Sequence, residues 1–211
     1  MSSAINEWFY FGKDTINKKT CNKIKRLGQS KWELASVDTQ KSTTDEERKT
    51  GRKGEFAVDK KIRESLVSWH NDQWLYDLIW PYMVRANDEA GWKYNITAGE
   101  TVQITKYKKG GFYNFHKDGS QDHLSAYDNP ENNWTHGKVR KLSMSIMLNE
   151  NFEGGSFEFA SYAKEDCTVT PINAERCSVL VFPSWMEHRV APITTGVRYS
   201  LVCWFVGTPF L

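Results

Sequence analysis

The stretch VLVFPSWMEHRVAPITTGVRYSLVCWF, residues 179–205, decides how this chain folds. It opens on four apolar residues, turns at Pro183-Ser184, and closes on a segment dominated by β-branched and aromatic residues. Short runs of this kind, bounded by Gly and Pro, predict strands at 178–182 and 197–206. Moving outward, the same composition predicts strands at 92–97, 101–108, 141–149, 156–160 and 168–172. About seven or eight strands at such spacing argue for an antiparallel sandwich or jelly roll.

Upstream the pattern is helical. Residues 17–27 are rich in helix formers and stop at Gly28, a usual C-terminal cap. A second helix can start with Asp72 as N-cap, because Trp74, Leu75, Leu78, Ile79, Tyr82, Ala86 and Ala90 recur at helical spacing before Gly91. Pro81 lies inside it, removes an amide donor and crowds the preceding turn, which predicts a kink or a break into two helices. Helices first and strands after, without alternation, disfavour a doubly wound α/β fold. The fold class is therefore mainly β with N-terminal helices, an α+β chain. The length suits one domain over 1–211, with a helical support region at 1–91 and a jelly-roll core at 92–211. Two polar stretches interrupt the order: 38–54, read as a mobile surface loop, and 119–138, long enough to act as a lid.

Composition narrows the function classes. With 28 basic and 26 acidic residues the net charge is only +2, so no global field argues for a nucleic-acid partner. The basic run at 18–26 alternates with Cys21 and Ile24 and reads as a solvated helix face. No stretch approaches the ~20 apolar residues of a membrane span. The start, MSSAINEWFYFGKD, lacks the basic-then-apolar order of a secretion signal, so a soluble cytoplasmic protein is expected. Cys21, Cys167, Cys177 and Cys203 have no metal-type spacing and read as ordinary thiols.

Chemistry concentrates in four residues: His116, Asp118, His188 and Arg198. Side chains alternate along a strand, so His116 and Asp118 at i and i+2 are expected on one face, free to ligate one ion. His188, after the Pro-Ser turn, is the best placed third ligand. Two histidines and a carboxylate form the facial set that holds ferrous iron and leaves other positions open. His70, His123 and His136 are read as non-ligands. A lone His-x-Asp arises by chance in many chains; here the weight lies in the ordered set, which ends with Arg198 and Ser200 on one face of the last strand. Arginine offers a carboxylate a fixed fork of donors, and a hydroxyl can add a further bond. Trp204 falls on that same face. Gly154-Gly155 reads as a turn that needs positive φ.

Three segments, YKKGGFYNFHKD (107–118), RKLSMSIMLNENFEGGSFEF (140–159) and the opening stretch, resemble the iron(II)- and 2-oxoglutarate-dependent dioxygenases, in particular their prolyl 4-hydroxylase-like branch. Small bacterial and phage-encoded hydroxylases are similar. The resemblance implies a double-stranded β-helix, or jelly roll, with Fe(II) on His116, Asp118 and His188. It also implies 2-oxoglutarate with its far carboxylate on Arg198, flanked by Ser200 and Tyr107, and ascorbate as a stimulant. Residue by residue it implies substrate contacts at Tyr113, Arg140 and Trp204. One position departs: Met147 stands where some prolyl hydroxylases present a tyrosine hydroxyl to 2-oxoglutarate, which leaves Arg198 more dependent on Tyr107, Ser200 or water.

The function so implied is hydroxylation of a prolyl residue in a peptide or protein, with release of succinate and CO2, by a monomer acting in a bacterial or phage-infected cell without nucleic-acid or membrane partners. The same chemistry on a free amino acid or small metabolite is an alternative. A jelly-roll binding module without turnover is another.

Overall fold

A computed structural model describes residues 5–38, 56–119, 124–163 and 166–210. In chain order the elements begin with β1 (Phe9–Phe11), α1 (Lys18–Leu27), β2 (Glu33–Leu34), β3 (Val37–Asp38), β4 (Phe56–Ala57), β5 (Arg63–Glu64), β6 (Leu66–His70) and α2 (Gln73–Glu89). They continue with β7 (Ile96–Gly99), β8 (Val102–Tyr107), β9 (Phe112–His116), β10 (Val139–Met147), β11 (Phe152–Gly154), β12 (Phe157–Ala163) and β13 (Asp166–Ile172). The last are β14 (Val179–Pro183), β15 (His188–Val190), β16 (Ile193–Gly196) and β17 (Arg198–Gly207).

Eight strands form the larger antiparallel sheet, in the order β1-β14-β10-β17-β8-β6-β2 with β7 beside β17. Five form a smaller one, β13-β12-β15-β9-β5. The central strands alternate, and each face of the larger sheet has its own core. Met144, Ile146, Leu201, Cys203, Phe205 and Ile104 pack against Ile24 of α1 and Leu75, Ile79 and Met83 of α2. On the opposite face Tyr107, Leu180 and Phe182 meet Phe157, Phe159 and Val190 from the smaller sheet. That second, aromatic interior holds the site. The architecture is that of the double-stranded β-helix expected from the sequence.

Asn17 caps α1 by accepting from the Thr20 amide, and Gly28 ends it. α2 does not break at Pro81. Its buried stripe, Leu75, Ile79, Met83 and Ala86, has members on both sides of the proline, and Pro81 itself is exposed. Packing of one apolar face keeps the two halves together despite the lost amide bond. Among the described residues, no helix is long and apolar enough to cross a membrane.

One expectation fails locally. Residues 92–94 are not strand, because positive φ at Gly91 and Lys93 turns the chain and the Asn87 side chain bonds both the amide and the carbonyl of Tyr94. The N-terminal region, expected to be helical support, also supplies β1 to one edge of the larger sheet and β6 and β2 to the other. The polar loop at 38–54 lies outside the described residues except for Asp38, which pairs in β3.

Candidate metal and co-substrate site

His116 ends β9 and faces His188, the first residue of β15, directly across the antiparallel pair. Asp118 does not share the strand. It lies in a bend just past β9, where its amide donates to the Ser184 carbonyl at 2.9 Å. The turn, and not strand alternation, brings the carboxylate to the histidines. Asp118 Oδ1 is 3.7 Å from His116 Nε2, and Oδ2 is 3.6 Å from His188 Nε2. All three ligand atoms lie within 4.8 Å of one another.

The surroundings fix how these groups point. His116 Nδ1 lies 2.8 Å from the Asn114 carbonyl, and His188 Nδ1 lies 2.9 Å from that of Met186. A carbonyl can only accept, so each Nδ1 carries the proton and each Nε2 turns its lone pair inward, as a metal ligand requires. Ser143 donates to Asp118 Oδ2 at 2.7 Å and shares a 2.9 Å bond with Ser184. Phe157 stacks on the His188 ring, and Tyr113 stacks on His116 with centroids 3.5 Å apart. The donor set, its tautomers and its dry walls fit a divalent ion.

Burial favours the neutral form of Asp118, but His188, His116, Arg140 and the Ser143 hydroxyl outweigh it and hold the carboxyl below the usual range. Burial pushes His116 down to about 3, with His188 adding to the effect. An unfolded histidine titrates near 6.5. Between those values the unfolded chain binds a proton that the folded chain lacks. The contribution of His116 to the stability of the metal-free protein is therefore fully present above about pH 6.5 and is lost as pH falls toward 3. Urea midpoints should drop over that interval, and His116→Asn should flatten the slope. A wild-type slope that the substitution leaves unchanged would assign the effect to other groups.

The second half of the site stands on β17. Arg198 is 1% exposed and donates from one terminal nitrogen to Ser200 Oγ at 3.1 Å. Tyr107 lies directly across from Arg198 in β8, with its ring 5.5 Å from the guanidinium carbon. Among the described residues no carboxylate pairs with Arg198, and its Nε has no partner. Burial lowers its pKa, the expected strain on a charge out of water without a counter-ion. Such an arginine calls for an anion.

Gly154 and Gly155 both take positive φ, as the Gly-Gly reading predicts. A Cβ on Gly155 would press into the Ile193 side chain and stand 3.0 Å from Arg198 Cδ. Gly155→Ala should therefore cost about 1–3 kcal/mol of stability, typical of a strained backbone site, and weaken binding of a carboxylate ligand that uses Arg198 by displacing its side chain. Denaturant unfolding and calorimetry check the two effects; a neutral outcome in both would show that the turn relaxes.

The remaining predicted residues form a third group. Arg140 makes a two-pronged pair with Glu100, both bonds at 2.7 Å, and Tyr127 donates to the same carboxylate at 3.2 Å. The Arg140 guanidinium lies 4.2 Å from the Trp204 ring centroid. Trp204 pairs in register with Ser143, so it shares the sheet face of the residue that holds Asp118, and among the described residues its buried indole N–H has no partner. The residues read as non-ligands have other neighbours: His70 bonds Ser68, His136 faces Asp128, and His123 lies outside the described residues. Ser143, Ser184 and Glu100 escaped the sequence reading. A signal existed for the first, since Ser143 and Ser145 alternate with Leu142, Met144 and Ile146 in a central strand.

A family model for the 2OG-Fe(II) oxygenase superfamily matches residues 102–206. Among curated proteins, a PKHD-type hydroxylase of Hyphomonas neptunium is 31% identical over 80 residues, 36% of this chain and 34% of that protein. One from Synechococcus sp. (strain CC9311) is 28% identical over 103 residues, 48% of this chain and 39% of that protein. The chain thus spans little more than a third of the length of these relatives. Among solved structures, a viral collagen prolyl hydroxylase from Paramecium Bursaria Chlorella virus-1 superimposes with a TM-score of 0.61 at 14% identity, covering 96% of this chain and 97% of that one. A Pseudomonas putida prolyl-4-hydroxylase gives 0.58 at 17% identity, covering 94% and 91%. At such identities the likeness is one of fold.

Proposed function

The chain belongs to the 2OG-Fe(II) oxygenase superfamily, and from that premise we propose that it hydroxylates a prolyl residue in a peptide or protein. Fe(II) and 2-oxoglutarate are the cofactor and co-substrate that the family and the triad imply. Together they supply the oxidation, in which dioxygen is consumed, 2-oxoglutarate is converted to succinate and CO2, and one oxygen atom enters a substrate C–H bond.

The chain's own residues bind, orient and exclude. His116, Asp118 and His188 would hold the metal from one side, with Ser143 and two backbone carbonyls fixing their orientation. Arg198 and Ser200 would receive the far carboxylate of 2-oxoglutarate, with Tyr107 as one wall. Met147 is buried and sits across from Ser200, so the pocket lacks a tyrosine hydroxyl at that position. The aromatic layer of Phe157, Phe159 and Phe182 packs around His188 and keeps water from that side.

The observation that carries the prolyl reading is the Trp204 indole. Among the described residues it is a buried donor with no acceptor, stacked on a charge-neutralised arginine on the same face as the Asp118 support. A peptide carbonyl flanking proline would satisfy that N–H, and the apolar ring would pack on the aromatic face. The prolyl hydroxylases among the structural neighbours support the same choice. Incubation with Fe(II), 2-oxoglutarate and proline-containing peptides should add one oxygen to proline, read by fragment mass spectrometry. Oxygen found only on another residue, or only on free amino acids, would sink the proposal.

A further inference from the structure

Beside the site a cavity of about 160 Å³ opens between the β5 and β8–β9 segments. Its floor is aliphatic: Leu34, Ala35, Val58 and Leu66. Leu34 and Val58 are about half exposed, so the aliphatic lining is open to solvent. Among the described residues its rim carries Lys60, Arg63, Lys106, Lys108 and Lys109 against one carboxylate, Glu64. Among the described residues none of these five cations has a carboxylate within ion-pair distance. Lys106 instead reaches over the Trp32 and Tyr199 rings. The Arg63 side chain is 7% exposed and donates to the Ser65 hydroxyl, and among the described residues this guanidinium at the cavity has no counter-ion. In a chain whose net charge is +2, this is a concentrated local field.

Arg63 also links the cavity to the chemistry. It pairs across from Tyr113, its guanidinium carbon lies 4.6 Å from the Tyr113 ring centroid, and that ring lies 3.5 Å from His116. Arg63, a lining residue of the cavity, is thus separated from a metal ligand by one aromatic ring.

We propose that this lysine-rimmed groove docks an acidic segment of the polypeptide substrate flanking the hydroxylated position, and so sets which prolines are chosen. The inference rests on the prolyl-polypeptide reading above. Carboxylates would meet Arg63, Lys108 and Lys109, while the alkyl parts of the same side chains cover the aliphatic floor. A nucleic-acid strand fits less well, because among the described residues the lining offers no aromatic ring on which a base could stack.

The test uses fluorescent proline-centred peptides flanked by Asp and Glu, the isosteric Asn and Gln versions, and an oligonucleotide, each titrated by anisotropy and then assayed for oxygen incorporation. The acidic peptide should bind about tenfold tighter than its amide counterpart at low ionic strength, with the preference shrinking as salt rises. Lys108→Glu/Lys109→Glu should erase the preference. Lys18→Glu/Lys19→Glu, an equal change of charge on the exposed face of α1, should keep it. Equal affinity for acidic and amide peptides, equal loss in the α1 control, or tighter binding of the oligonucleotide through the same lysines would overturn the proposal. The two readings separate cleanly. Oxidation of proline in both peptides with equal affinity removes the groove's role and leaves the prolyl reading. Charge preference without oxygen on proline does the reverse.

Discussion

Asp118→Ala should lower succinate formation by roughly a thousandfold or more while leaving the metal-free fold intact. The expected loss follows from what Asp118 contributes: it is the one anionic member of the triad, 3.6 and 3.7 Å from the two ligating nitrogens. Without it two neutral imidazoles face a divalent cation with no charge compensation. Metal-based stabilisation is worth several kcal/mol, and each 1.36 kcal/mol is a factor of ten, which gives the ~10³ figure. Survival of the fold follows from the other side of the balance. In the metal-free protein Asp118 is a buried charge held by the Ser143 hydroxyl, so its removal relieves desolvation as well as breaking a hydrogen bond. Ser143→Ala provides a graded comparison. It keeps the ligand but loses its orientation, and losses of about 10–100-fold are usual for such partners. Metal content, circular dichroism and succinate yield measured on both variants check the order. Activity of Asp118→Ala within tenfold of wild type would remove Asp118 from the ligand set.

The contrast between Asp118 and Ser143 also shows what a sequence can disclose. The triad was legible because His116 and His188 are two of only five histidines and stand with Asp118 in an ordered frame of strands. The route that joins them was not. Asp118 reaches the centre through a bend anchored on the Ser184 carbonyl, a long-range backbone bond with no local sequence signal. β17 and β10 were readable because they are central, long and apolar. β5 and β2 were not, since two-residue edge strands have no measurable period. β6 has the burial pattern of a strand only in its middle, and it follows the charged segment that forms β5. Arg140 was read as a substrate contact from likeness alone, and its two-pronged pair with Glu100 depends on a residue 40 positions away. The glycines of the 154–155 turn were legible for a simple reason: both sit at positive φ, which other residues adopt at a cost.

Arg198→Met should change stability in opposite directions depending on whether 2-oxoglutarate is present. In the free protein the Arg198 guanidinium is almost fully buried, has Ser200 as its hydrogen-bond acceptor, and lacks a carboxylate partner among the described residues. Replacing an uncompensated buried charge by an apolar side chain of similar reach removes a desolvation penalty, so the free variant should melt higher than the wild type. Adding 2-oxoglutarate at a hundredfold excess over its dissociation constant should stabilise the wild type by about 2.7 kcal/mol through mass action. For a chain of this length that corresponds to roughly 2–4 °C for each kcal/mol. Truncating one partner of a buried charge pair costs about 2–5 kcal/mol of binding, or roughly 30- to several-thousand-fold in affinity, so the variant should gain about 0.9 kcal/mol or less from the same addition. The two melting curves therefore cross in order as 2-oxoglutarate is titrated. Run with Mn(II) in place of iron, the measurement avoids turnover altogether. An unchanged affinity in Arg198→Met would place the co-substrate carboxylate elsewhere. A lower melting temperature for the free variant would mean that Arg198 is held by packing and hydrogen bonding strongly enough to outweigh its missing counter-ion. The rise and the lost ligand response, seen together, would identify Arg198 as a residue kept at a cost to stability because the co-substrate supplies its partner.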